Sequence, residues 1–201
     1  MGELYETGIN VQALNEQALN KHRLSVADFL HMGEAGILRE DDRIELIEGE
    51  LIDMAPIGSR HVSAVAVLGK LLTLAAGDNA LVTSQSPVVL NDNTQPQPDL
   101  LLLKRRDDYY ASSLPEPDDV LLLVEVADTT LLFDRNIKIP LYAKNGIPEV
   151  WLINLNDSTI EIHREPSSEG YKLILRPSRE DAISPAHFAS FSFQPKKLFR
   201  D

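Results

Sequence analysis

Two runs of this chain are apolar at nearly every position: Leu100–Leu103 in "PDLLLL" and Val120–Val124 in "VLLLVEVA". Short continuous runs bounded by turn signals predict strands covered on both faces of a sheet. Elsewhere the pattern alternates. In "RIELIEGELIDMAP", Ile44, Leu46 and Leu51 alternate with acids about Glu48-Gly49, which predicts a two-residue hairpin closed by Pro56 and Gly58. "SRHVSAVAVLGKLLTLAA" has helical spacing at Val62, Val65, Ala66, Leu68, Leu72 and Ala75, with an N-cap at Ser59 and a C-cap at Gly77. Ahead of the hairpin, Ser25 and Asp28 have capping-box spacing for a short helix carrying Val26, Phe29 and Leu30, ending at Gly33 or Gly36.

"LVTSQSPVVL" reads as one strand, broken or bulged near Pro87, and "NDNT" as a turn. A helix is predicted from about Phe133 to Lys144; Pro140 inside it requires a start nearer Asn136 or a kink. "PEVWLINL", "TIEIHRE" and "YKLILRP" read as further strands, and the tail from Ile183 as irregular chain wrapping the core. Residues 1–22 are polar and weakly patterned, an arm ahead of a single domain over 23–201. The order of elements predicts an α/β sandwich around a mixed sheet flanked by helices, with an N-terminal helix and hairpin.

Composition narrows the chemistry. The 201 residues contain no cysteine, which excludes disulfides and thiol catalysis and suits a reducing cytoplasm. No signal peptide is visible, and the apolar runs are too short to span a bilayer, so no membrane partner is expected. The formal net charge of −12 is opposite in sign to the usual nucleic-acid footprint, so any such partner needs a local basic patch or a bound cation.

The two buried strands each carry one acid. Asp99 shares a face with Leu101 and Leu103, and Glu125 with Leu121 and Leu123. Strands adjacent in sequence pair antiparallel by default, which puts the start of one beside the end of the other. Asp99 and Glu125 then meet at one end of the sheet, away from the polar loop "KRRDDYYASSLPEPDD". Two carboxylates so close require a cation or a shared proton, and an oxygen-rich site suits Mg2+ or Mn2+. Asp134 and Lys138, four apart on the following helix, share a face from which Lys138 can reach the acids.

These residues resemble the PD-(D/E)XK nuclease superfamily. The usual lysine position, two after the second acid, is Ala127 here. The closer resemblance is to the Uma-type family of restriction endonucleases within it, common in cyanobacteria. It is carried by "IELIEGELIDMAP", His61, "PDLLLL", "LVEVADTT", Asp134, Lys138, Tyr142 and "GIPEVWLIN", over roughly Leu24 to Tyr171. It implies a restriction-endonuclease-like core, a lysine migrated to the helix at Lys138, and metal-dependent hydrolysis of DNA. The metal ligands would be Asp99, Glu125 and the carbonyl of Val126. Lys138 would orient or deprotonate the attacking water, Glu45 would complete the site, and a homodimer would present two sites to two strands. One departure is Asp128, which stands where a serine is usual.

Blander readings stand beside these. Asp99 could terminate a turn, and Lys138 could form a solvated pair with Asp134. Glu45 could be one more hairpin acid with Glu48 and Glu50, and His61 could touch phosphate or be structural. The cluster Lys104–Arg106 reads as a solvated loop, Trp151 as core and Tyr142 as packing behind the site. An interaction module that keeps the fold without useful activity is the alternative function. Glycoside hydrolysis is a third class, disfavoured by a chain with 6% aromatic residues and one tryptophan.

Overall fold

A computed structural model describes residues 21–39 and 41–199. The arm expected over residues 1–22 lies outside them, save Lys21 and His22. The core is a six-stranded mixed sheet in spatial order β3-β4-β5-β6-β7-β8, formed by Ala80–Ser84, Leu100–Lys104, Val120–Ala127, Glu149–Asn154, Thr159–Ser167 and Gly170–Leu175. All neighbours are antiparallel except β5 and β6, whose parallel pairing requires the helical crossover between them. A separate two-stranded hairpin, β1 (Ile44–Ile47) and β2 (Glu50–Asp53), docks beside the sheet through the Leu46–Gln95 bridge.

Local chemistry accounts for each element. Helix α1 (Val26–Glu34) opens with the expected reciprocal Ser25–Asp28 capping box. The hairpin turns at Glu48 and Gly49, with φ of 48° and 78°, the left-handed pair that a tight primed turn needs. A Cβ at Gly49 would stand 2.6 Å from that of Arg23, so glycine also admits the chain alongside. Helix α2 (Ser59–Ala76) has its cap one residue earlier than expected: Gly58, not Ser59, is the N-cap. Its buried stripe is Ala64, Leu68, Leu72 and Ala76, of which only Leu68 and Leu72 belong to the expected apolar set, and Val62 is exposed.

Two expectations about strands change. "LVTSQSPVVL" is not one strand. Gln85 turns the chain with φ 49°, and the half after Pro87 bonds to Pro96, Thr94 and Pro115 instead of extending the sheet. The β4–β5 register slips between Leu102 and Leu103, which moves Leu121 from the face of Leu123 to the opposite core.

The sheet is buried on both sides. One face packs against α2 and the C-terminal tail, where Phe193, Leu198 and Phe199 join Trp151, Leu122 and Val124. The other packs Leu101, Leu103 and Leu123 against Ile139, Tyr142 and Val88. Among the described residues no helix is long and apolar enough to cross a membrane.

Candidate active site

Leu100 pairs with Val124, so one further step of register sets Asp99 beside Glu125. The Val126 N–H donates to Asp99 Oδ2 at 2.8 Å and fixes that carboxylate. Asp99 Oδ1 stands 2.9 Å from His61 Nε2, in the first turn of α2. Both acids are buried, as are Glu45, Asp134 and Lys138. The antiparallel expectation and the meeting of the two acids at one sheet end both hold.

The crossover from β5 begins with a short turn, α3 (Leu131–Phe133), and ends in α4 (Ile139–Lys144). Between them Asp134–Lys138 is a π-helical turn, and the Ile139 N–H reaches back to the Asp134 carbonyl, five residues away. Pro140 explains it: in an ordinary α-helix its ring would meet the carbonyl four residues back and its N–H would be missing. Of the two alternatives expected, a start nearer Asn136 or a kink, the later start does not occur: the helical path runs from Leu131 to Lys144 and the chain widens within it. Asp134 and Lys138 are both buried in this turn.

Lys138 does not form the bland pair with Asp134. Its Nζ lies 2.9 Å from Glu45 Oε1 and 2.8 Å from Glu125 Oε1. The hairpin and the central strand are therefore joined through one buried ammonium. Glu45 Oε1 also accepts the Gln97 N–H at 2.7 Å, which places Glu45 in the site and not among the exposed hairpin acids. Asp134 Oδ2 accepts from Thr130 Oγ1 at 2.6 Å. Tyr142 is more than packing behind the site: its hydroxyl donates to Glu125 Oε1. Its spacing, four after Lys138 and eight after Asp134, was the available signal.

Electrostatics follow from burial. Burial pushes the Glu125 carboxyl well above its ordinary value; Lys138 opposes this, while Asp134, Asp99 and Glu45 add to it. Burial likewise raises Asp134 and, helped by Glu125, raises the Tyr142 hydroxyl. Burial alone would lower the Lys138 ammonium, but Glu125, Glu45 and Asp134 together hold it above the ordinary lysine value. The site thus favours the neutral forms of Glu125 and Asp134 more than water does, while it holds the Lys138 ammonium above the ordinary lysine value.

These groups line a cavity of about 570 Å³, walled by the Met54–Gly58 loop and the ends of α2, β4 and β5. Six carboxylic residues line it (Glu45, Asp53, Asp99, Glu125, Asp128 and Asp134), against the cations Arg43 and Lys138. Arg43 and the 54–58 loop, read from the sequence only as the flanks of the hairpin, belong to the cavity wall, and no periodic pattern marks them for it. The basic cluster is elsewhere, as expected: Arg106 is held by Asp108 at 2.7 Å and lies over the Tyr110 ring.

The sequence model of the Uma2 family, described as "Putative restriction endonuclease", matches residues 26–195. The chain belongs to the Uma2 family. Among solved structures, a "putative nuclease belonging to DUF820" from Anabaena variabilis superposes with a TM-score of 0.69 at 17% identity. The match covers 88% of this chain and 97% of that one, and it shows that the Uma2 chain has that fold. No curated protein matches the chain.

Among the described residues of this Uma2 protein, no group of three or more His, Asp or Glu side chains is arranged as a metal cage. The donor set still fits a hard cation. Asp99, Glu125 and the Val126 carbonyl offer only oxygen, and the surplus of buried acids is a charge that a divalent ion would neutralise.

Proposed function

We propose that this protein hydrolyses phosphodiester bonds of DNA as a Mg2+- or Mn2+-dependent endonuclease. The observation that carries the reading is the buried Lys138, bridging Glu45 and Glu125 beside Asp99 in an acid-lined cavity. A divalent cation held by Asp99, Glu125 and the Val126 carbonyl would offset phosphoryl charge and make water more acidic. The chain's own groups prepare the place. The Val126 N–H and His61 hold Asp99 in position. Tyr142 fixes the rotamer of Glu125. Lys138 keeps its proton among these acids, which suits orienting water and meeting negative charge. Glu45, anchored by Gln97, sets where the Lys138 ammonium lies.

The chain is further read as a polar arm over 1–22 and one domain over 23–201, working as a homodimer in the cytoplasm. Its two sites would serve two DNA strands, with sheet edges and the C-terminal tail as contacts. A second reading, an interaction module without useful activity, is favoured by the net charge of −12.

Manganese titration by calorimetry, on wild type and on Asp99→Asn with Glu125→Gln, tests the proposal together with plasmid nicking. Binding and nicking by wild type alone are expected. A blank titration repeated with a non-cleavable duplex, and intact plasmid, would leave the interaction module ahead. That module would keep its function in the double variant.

A further inference from the structure

Asp128 occupies the cavity lining directly after β5. Its Oδ1 stands 2.7 Å from Nη2 of Arg60, in the first turn of α2. The same guanidinium nitrogen donates to Asn156 Oδ1 at 3.0 Å, and Nη1 donates to the Leu155 carbonyl at 3.3 Å. Asn156 in turn donates from Nδ2 to the backbone carbonyl of Asp128. Three groups, from the segments that follow β5 and β6, therefore close on one arginine at the rim. Within the cavity, Lys138 is committed to Glu45 and Glu125, and Arg43 Nη1 to the Ala55 carbonyl at 3.1 Å. Among the described residues, Arg60 is the remaining arginine or lysine bonded to the side chain of a lining residue, and its side chain is 56% exposed, so a partner could reach it.

We infer that Asp128 is a specificity-setting residue which holds Arg60 away from phosphate at the mouth of the cavity. The inference rests on the reading of the site as one for phosphodiesters. Arginine binds carboxylate and phosphate with the same planar fork, so an Asp at this place competes directly with a phosphate for one guanidinium. A smaller, uncharged side chain at 128 releases the Nη2 N–H now given to Asp128, while Leu155 and Asn156 still orient the guanidinium. The acid thus lowers affinity for any polyanion without touching the buried site, and it makes the rim selective for substrates that outcompete it.

The test uses full-length wild type, Asp128→Ser, Arg60→Gln and the double variant. Each is measured by fluorescence anisotropy on a labelled DNA duplex in chelator, across a salt series. Each is also titrated calorimetrically with inorganic phosphate. Asp128→Ser is expected to tighten duplex binding by roughly ten-fold and to steepen the log–log salt slope by about one, the signature of one added phosphate contact. Arg60→Gln should cancel the whole gain. A gain that persists in the double variant overturns the inference, because Asp128 would then act by simple repulsion. No gain on either titrant also overturns it. A gain confined to inorganic phosphate, lost with Arg60→Gln, upholds the contact between the two residues and refutes the DNA reading instead.

Discussion

At the scale of single residues, Lys138 carries the largest electrostatic consequence. Removing one partner of a buried ion pair leaves an uncompensated charge. Lys138→Met should therefore cost about 3–5 kcal/mol in urea unfolding near neutral pH. Glu125→Gln should shrink that cost in a double-mutant cycle, as coupled neighbours require. The pH dependence has a definite sign. Burial raises the folded-state value of Glu125 above 4.5. Its neutral form is the one that folding favours, so this contribution is complete below the unfolded value and is lost as pH rises through the folded one. Metal-free protein should lose stability on that rise, and Glu125→Gln should flatten the curve; an unchanged curve would show that Glu125 is not the group responsible. Asp99 and Glu125 were legible as a pair because strand alternation and antiparallel pairing are geometric rules. Tyr142 was not, since a hydroxyl eight residues beyond an acid could equally have served packing alone.

At the scale of elements, Pro140 decides how the crossover helix presents its chemistry. A proline in a regular helix interior costs about 3 kcal/mol relative to alanine. Pro140→Ala lets the π turn relax toward α geometry and turn Lys138 off its acids. The expected result is an unchanged or higher midpoint in thermal unfolding, together with a smaller Lys138–Glu125 coupling energy. A stable variant with full coupling would show that the wide turn needs no proline. The helix was visible in its apolar spacing and its kink in Pro140, but the way the chain absorbs a proline depends on the surrounding contacts. The same limit applies to Gln85. Nothing local in "TSQSP" states that the chain leaves the sheet there; the alternative bonds to Thr94 and Pro96 decide it.

At the scale of the whole molecule, the sheet is covered on one face partly by chain that forms neither long helix nor strand. Phe193 packs its ring 5.9 Å from Trp151, and Ile183 bridges to Phe193, so the tail closes the core over α2's side. Phe193→Ala should cost about 3–5 kcal/mol, read by denaturant midpoint, while leaving the acid-lined cavity, which Phe193 does not line, able to take manganese. Loss of manganese binding at full folding would instead tie the tail to the site. That the tail wraps the core was legible from its aromatics, although which strands it covers needed the register.

The hairpin β1–β2 lies outside the six-stranded sheet. It is held by Leu46 to Gln95, by Gly49 to Asn93 and by Glu45 to Lys138. Two of these ties are ordinary amide bonds, and the third is ionic. Amide hydrogen exchange at Leu46 and Gly49, compared between wild type and Lys138→Met, tests whether the ionic tie helps to hold the segment. Any event that draws Lys138 away from Glu45 loosens a segment whose backbone can be watched with no substrate present. Faster exchange at those two amides in the variant is the expected result; unchanged exchange would show that the bonds of Glu48 to Thr94 and of Leu24 to Gly49 hold the hairpin without the lysine.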